Sequence, residues 1–490
     1  MEPSSLPPTA SASRNADALR ELFSNNESLI VREIAGSLDG DRALLLYLDV
    51  LVDEKTLDVH VVRNARERTS GTRGSALSAD DVLSALRSTC RLETLSDLNA
   101  AVSFILDAGV AVFQDGVPDA FGFRLPGYVT RAVEEPQIEI NVRGPREAFI
   151  EDLRTNLGLI FRRMKSPSLK MSTYVIGTHS STKVALLYLD GRIDPAILEE
   201  LQDKLSACRL EVLLANTQLE ELLQESTFSP FPQIFNTERP DRVVVALNRG
   251  KAAILADGTP IALIAPTTFF EMLHPSEDLY ERFYITNFLR VFRLITLFIS
   301  LFGPSLYIAL TTFHLEMIPT PLMMAFLTSK AGIPFPTFVE ALVMEAAFEI
   351  LREASLRLPR VVGQSVSIVG ALIIGEAAVQ SGIVSRPMVI VVAMTGIASF
   401  TNPSFSMALS LRMLRFPMML FASYMGVLGI SLGLLVLLLH LCSLQTLGVP
   451  FLDPVNPAGW KASLQNFVLL PVKFRTSATG RAKHDGNREN

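Results

Sequence analysis

Glu345, Glu349 and Glu353 follow one another at four-residue intervals, which places them on one face of a helix. Glu340 precedes them and Arg352 and Arg357 lie among them, so local pairing with Glu349 and Glu353 competes with a row of free carboxylates. Farther on, Glu376 is the one charge in residues 361–385. Carboxylates in such settings can draw cations into a pathway or bond to neighbouring helices, and the residues alone leave both readings open. No other part of the chain has catalytic or metal-site spacing. Cys90, Cys208 and Cys442 are far apart and the six histidines are scattered. There is no Gly-x-x-x-x-Gly-Lys-Ser/Thr loop and no nucleophile elbow. Asn248-Arg249-Gly250-Lys251-Ala252 has a Gly-Lys pair without the first glycine or the hydroxyl residue, and reads as a turn. The expectation is a protein that is not an enzyme, with no cofactor and no metal.

The elements that must position these carboxylates follow from composition. The chain has 490 residues, 49% hydrophobic and 19% charged, with 44 Lys+Arg and 50 Asp+Glu. Of these charges 15 fall in residues 287–450 and 9 in 451–490, so the rest crowd into 1–286. That split predicts a large soluble region followed by a membrane region. A net charge of −6 gives no reason to expect nucleic acid as a partner. Met1 to Phe23 has no apolar run of signal-peptide type, so the soluble region is expected in the cytoplasm.

The soluble region reads as duplicated. Leu-Leu-Tyr-Leu-Asp occurs at 45–49 and again at 186–190, an offset of 141. Asp115-Gly116-Val117-Pro118 parallels Asp257-Gly258-Thr259-Pro260, an offset of 142, and Asp-Gly suits a hairpin turn. The runs 43–52, 184–190, 243–247 and 251–256 read as strands. The expected domains are a tail and helix at 1–36, an α/β module at 37–130, a basic connector helix at 131–177, a second α/β module with its joint at 178–286, the membrane domain at 287–450 and a tail at 451–490. In the connector, Pro145 fits a first helical turn, and Phe149, Leu153, Leu157, Ile160 and Met164 form an apolar stripe. Its arginines suit either an acidic partner or lipid headgroup, or simple solvation. Thr237-Glu238-Arg239-Pro240-Asp241 has the chemistry of ion pairing and turn formation.

In the membrane region, residues 294–313, 387–411 and 417–441 carry no formal charge and 361–385 carry Glu376 alone, which predicts four helical spans. Prolines at 319, 321, 334 and 336 interrupt the stretch before an amphipathic helix at Phe338–Leu358. A partial crossing there would make a fifth span. The basic tail agrees with four spans and a cytoplasmic C-terminus, whereas Arg412 and Arg415 disagree. Gln364, Ser367 and Gly370 lie in a stretch of small residues, which allows close helix approach or room at a pore axis shared by several copies. Residues 271–293 join the second module directly to the first span, a path by which module rotation could pull on a helix.

Several segments together resemble the A subunit family of bacterial spore germination receptors, the GerA type. They are Arg143-Gly144-Pro145-Arg146-Glu147, Thr237-Glu238-Arg239-Pro240-Asp241, Asp257-Gly258-Thr259-Pro260, Phe348-Glu349-Ile350-Leu351-Arg352-Glu353-Ala354, Arg357-Leu358-Pro359-Arg360, Gln364 to Gly370, Ala377-Ala378-Val379 and Gly448-Val449-Pro450-Phe451. They run in the family's order from about 134 to 455. The resemblance implies a multi-pass protein of the spore inner membrane. It would act beside a transporter-like B subunit and a lipoprotein C subunit. As a homo-oligomeric, ligand-gated channel subunit it would release monovalent cations in response to nutrients. Accessory paralogues that amplify ion release belong to the same family, and a non-conducting scaffold or a secondary transporter are the competing functions. The candidate ion-pathway residues are Glu345, Glu349, Gln364, Ser367, Gly370 and Glu376. The candidate structural or coupling residues are Arg143, Gly144, Pro145, Arg146, Glu238, Arg239, Pro240 and Asp241. Phe161, Glu376 and Asn402 before Pro403 depart from the family's usual pattern, which bears on ion preference and channel tuning.

Overall fold

The computed structural model describes residues 7–24, 26–36, 42–59, 86, 91–127, 136, 139–359, 363, 370, 373, 375–453, 468, 469 and 471. The chain divides into two compact units. Unit 1 is Met1–Glu225 with Ile234–Pro266, and unit 2 is Ser226–Gln233 with Thr267–Asn490.

Unit 1 contains the duplication. Its first module comprises α1 (Ala12–Leu22), β1 (Leu29–Gly36), β2 (Arg42–Leu48), α2 (Glu54–Leu57), β3 (Glu93–Leu95), α3 (Leu98–Leu106), β4 (Gly109–Gln114) and β5 (Ala120–Arg124). The second comprises α4 (Leu153–Arg163), β6 (Leu169–Ile176), β7 (Thr182–Leu189), α5 (Pro195–Ala207), α6 (Asn216–Leu223), β8 (Phe235–Thr237), α7 (Pro240–Asn248), β9 (Ala252–Ala256) and β10 (Ala262–Ala265). The sheet orders are β1-β2-β4-β5-β3 and β6-β7-β9-β10-β8, the same topology twice. The strand pairs among the described residues are antiparallel, yet β4, β9 and β10 are buried along their whole length. Burial on both faces explains why these strands read as continuous apolar runs rather than alternating ones.

The Asp-Gly turns do the same work in both modules. Gly116 and Gly258 have φ +82° and +81°, a region that glycine enters freely. The Asp115 carboxylate accepts from the Ala12 N–H at 2.7 Å, and the Asp257 carboxylate accepts from the Leu153 N–H at 3.1 Å. Each aspartate thus satisfies the first orphan donor of a helix. Asn15 and Asn156 repeat a second device: each side chain bonds both the N–H and the carbonyl of one residue six positions back, Thr9 and Ile150. The repeat therefore includes α1 and α4. It also includes β1 and β6, which the expected boundaries at 37 and 178 leave outside the modules.

Two local readings are corrected. The run 243–247 is helical, within α7, because Pro240 occupies the first turn with Asp241 beside it, and that start signal overrides three consecutive valines. The basic helix starts at Leu153 rather than at Pro145. Asp152 caps it through the Thr155 N–H, while the Asn156 side chain holds Ile150 in extended chain ahead of it.

Unit 2 comprises α8 (Phe269–Met272), α9 (Phe283–Thr312), α10 (Thr320–Lys330), α11 (Thr337–Arg357), α12 (Arg386–Ser399), α13 (Phe405–Met425), α14 (Val427–Ser443) and the hairpin β11 (Gln445–Thr446) and β12 (Val449–Pro450). Of the described helices, α9 and α13 are long and apolar enough to cross a membrane; α12 and α14 are apolar but shorter. The expected spans 387–411 and 417–441 are instead three helices. Pro403 disfavours helical geometry at Asn402, and Ser404 then caps α13 through the Met407 N–H. Gly426, at φ +62°, separates α13 from α14. The expected span 361–385 falls mostly outside the described residues, but 375–380 are helical. Small residues set the packing: a Cβ on Gly303 would lie 2.7 Å from Thr395 Oγ1, and one on Gly396 2.6 Å from the Phe348 ring.

Replacing Asp257 by Ala should leave the Leu153 N–H at the start of α4 without its acceptor and lower stability by about 1 kcal/mol. Asp115→Ala should do the same for α1. Chemical denaturation of each variant checks this, and an unchanged midpoint in both would contradict the shared role.

Candidate functional site: charged pairs within the helical unit

The glutamates of α11 meet the arginines of α13. Arg415 donates from Nη1 to Glu345 Oε2 at 2.5 Å, and Arg412 donates from Nη1 to both oxygens of Glu349 at 2.9 and 3.0 Å. Glutamates four apart on one helix thus match arginines three apart on another, in antiparallel order. Arg415 also donates to the Ser300 carbonyl at 2.8 Å and to Ser300 Oγ at 3.3 Å, so one guanidinium joins α13, α11 and α9. The Arg415 and Glu345 side chains are 3% and 2% exposed, which makes this pair fully internal. Arg352, expected beside Glu349, instead lies over the Phe400 ring, 4.9 Å from its centroid. Arg357 pairs with Glu353 as expected. Glu340 is buried and accepts from the Ser385 N–H at 2.9 Å, at the start of α12.

Of the other expected ion-pathway residues, Gly370 and Glu376 are described, and neither joins these pairs. Gly370 packs against α11, where a Cβ would lie 2.4 Å from Leu351 Cδ2. Glu376 is exposed and accepts from Gln380 Nε2 at 2.9 Å. Gln364 and Ser367 lie outside the described residues. The arrangement around Glu345 and Glu349 has three arginines to two glutamates. Both carboxylates are committed to arginine, so they tie helices together and present no free row of negative charge. Arg412 and Arg415 looked in the sequence like a conflict of topology. Their three-residue spacing, set against the four-residue spacing of Glu345 and Glu349, was the available signal. Ser300 gave none.

In unit 1 the two candidate motifs come together. Arg239 is fully buried and pairs with Asp241 through Nε at 3.1 Å and Nη2 at 2.9 Å. It also donates to the carbonyls of Pro145 at 2.8 Å and Glu139 at 3.3 Å. The Phe149 N–H donates to the Glu238 carbonyl at 2.8 Å. Pro240 begins α7. Gly144 has φ +114°, while Arg143 and Arg146 are exposed. Glu147 accepts from Arg162 and Arg163, which holds its carboxyl below the usual range against the opposing effect of burial. Glu139, which the sequence did not single out, accepts from Thr237 Oγ1 at 2.8 Å; burial raises its pKa, and Arg242 and Arg239 offset part of the rise. The connector's basic residues are thus largely engaged within the unit: Arg154 donates to the carbonyls of Asp49 and Val52, and Lys165 to Asp107.

The chain has relatives among known proteins. The family model described as Bacillus/Clostridium GerA spore germination protein matches residues 17–479. The chain belongs to that family. It is 40% identical over 84% of its length to the uncharacterized membrane protein YfkQ of Bacillus subtilis, covering 80% of that protein. It is 39% identical over 91% of its length to spore germination protein KA of B. subtilis, covering 82%, and 35% identical over 92% to spore germination protein GerLA of Bacillus cereus, covering 92%. A crystal structure of the N-terminal domain of the A subunit of the Bacillus megaterium spore germinant receptor GerK3 matches at 23% identity, with a TM-score of 0.42, over 55% of this chain and 99% of that one.

Two outcomes follow. Arg415→Leu or Glu345→Leu alone strands a buried charge and should cost about 3–5 kcal/mol, whereas the double replacement should recover most of that. Thermal midpoints of the four proteins in one detergent check it, and additive losses would contradict the pair. Separately, burial pushes the Asp49 carboxyl up to about 6 from an ordinary 3.8. A raised folded-state pKa makes its ionisation a penalty that grows as pH rises through about 4 to 6. Asp49→Asn should therefore raise the melting temperature at pH 7 and make no difference near pH 4.

Proposed function

We propose that this chain is the membrane subunit of a spore germination receptor and contributes to an oligomeric, ligand-gated channel for monovalent cations. It would sit in the spore inner membrane with its N-terminal unit in the cytoplasm, beside a transporter-like B subunit and a lipoprotein C subunit. Family membership supports the receptor role. The observation that carries the channel reading is Glu376, an exposed carboxylate within an apolar stretch, with no arginine or lysine paired to it among the described residues. A charge at a span's centre facing lipid costs roughly 2.5–3.5 kcal/mol on insertion scales, so water or another copy is the better neighbour. Several copies around a wet axis supply both. The cation-attracting role then falls to Glu376 rather than to Glu345 and Glu349, which hold the helices. The joint is suited to pass on motion, because Asp278 accepts from both Arg290 and Arg293 and so ties the start of α9 to the turn before it.

The neutralised state of Glu345 and Glu349 favours a second reading, a non-conducting scaffold. Potassium flux from vesicles containing the purified protein separates the two. Glu376→Gln should lower cation over anion permeability several-fold while particle mass stays the same. No flux from the parent protein, with or without its partners, would favour the scaffold.

A further inference from the structure

Within unit 2, α11 runs back along α9. Glu340, near the start of α11, accepts from the Ser385 N–H, and Ser385 Oγ lies 3.5 Å from Tyr307 Oη near the end of α9. Farther along α11, Glu345 is joined through Arg415 to Ser300 in the middle of α9. Farther still, Arg352 lies over Phe400, next to Thr401, whose hydroxyl bonds Thr296 Oγ1 at 2.6 Å. Residues 313–336 therefore leave and re-enter the bundle at one and the same end. The junction of α13 with α14 is there too, because a Cβ on Gly426 would lie 3.0 Å from Phe313 Cβ.

The helix of that segment, α10, is apolar and too short to cross a bilayer. Its 11 residues rise about 16 Å, roughly half of a hydrocarbon core. Residues 317–329 carry no charge. Phe326 faces the bundle, its ring 5.8 Å from that of Tyr307, while Leu322, Met324 and Leu327 are exposed on the other sides. Thr328 is exposed as well, yet its hydroxyl donates back to the Met324 carbonyl at 2.8 Å; the Ser329 hydroxyl donates to the Phe326 carbonyl at 2.9 Å. Both hydroxyls are thus satisfied without water. No residue of α10 is buried, so a helix that is apolar on both sides has cover on one alone. At the same end of the bundle Leu306, Phe313, Tyr424 and Leu428 are exposed, which continues the apolar surface of the long helices. A tyrosine at the rim of such a surface suits headgroup depth.

We propose that α10 is a lipid-binding surface that lies in one leaflet without crossing it. Leu322, Met324 and Leu327 sit among the upper acyl chains, and Glu316, which is exposed ahead of the helix, stays in water at the headgroups. The bilayer is the cover because it already meets the apolar sides of α9 and α13, with which this face is continuous. The proposal rests on the membrane placement of unit 2 and is independent of ion conduction. With the start of α9 at the cytoplasmic face, the leaflet is the outer one.

The test uses the full-length chain in phospholipid nanodiscs, with Cys90→Ser, Cys208→Ser and Cys442→Ser as background. Single nitroxides are attached through Phe298→Cys, Glu316→Cys, Met324→Cys or Leu327→Cys, and a melting temperature close to that of the background protein admits each one. Spin relaxation by oxygen, which concentrates in lipid, is compared with relaxation by a nickel chelate, which stays in water. Phe298, exposed in the middle of α9, should read as deep in the bilayer. Positions 324 and 327 should read as lipid-exposed but shallower, with an oxygen-to-nickel ratio several-fold above that at 316. Nickel access at 324 and 327 equal to that at 316, with 298 still in lipid, would overturn the proposal and leave the membrane placement standing. Loss of access to both agents, with spin–spin broadening between copies, would overturn it in favour of a second copy as the cover. A depth equal to that of 298 would overturn it in favour of a helix plunged into the bilayer core. Water access at 298 would remove the membrane placement itself and the proposal with it.

Discussion

The internal pair between Arg415 and Glu345, with Ser300 as its third member, is the interaction on which the helical unit depends. A guanidinium and a carboxylate, each nearly free of solvent contact, are tolerable only with their partners in place. That requirement fixes the register of α13 against α11 and the approach of both to α9. Arg412 with Glu349 repeats the constraint farther along. The small residues at Gly303 and Gly396 then let the backbones come close enough for those bonds to form. A functional reading that spends the α11 glutamates on attracting ions would leave two buried arginines without counter-charges.

Unit 1 meets its own constraint twice. Each module must close a helix start against the turn between two strands, and in each an Asp-Gly pair supplies both the carboxylate and the positive φ. The asparagines Asn15 and Asn156 hold the chain ahead of the helix in the same way. Arg239 adds a device to the second module, drawing the 143–147 segment onto α7 through carbonyl acceptors and Asp241. The two motifs that stand out in the sequence are thus halves of one packed joint.

Much of this was legible in the chain because it rests on local rules. Leu-Leu-Tyr-Leu-Asp and Asp-Gly-x-Pro exposed the repeat, since strand burial and turn geometry demand those residue types at those places. The repeat's true extent was not legible, because the resemblance of α1 to α4 lies in hydrogen bonds made by Asn15 and Asn156 and not in a shared string. Val243-Val244-Val245 misled by intrinsic propensity, where Pro240 and Asp241 held the better information. Asn402-Pro403 stands out in the sequence only as a departure from the family's pattern, whereas its physical meaning is a helix break followed by a capped restart. Glu345 and Glu349 stand out in the sequence as candidates for an ion pathway, but the structure commits them to arginines. Their partners could not be named, because pairing between helices depends on a register that no local pattern states.

The channel subunit reading is tested most directly by planar-bilayer recordings of the purified protein, with the mass of the particle measured in the same preparation. Discrete, cation-selective openings from a particle of several copies are expected. A single-copy particle that stays silent, even when reconstituted with its receptor partners, would contradict it.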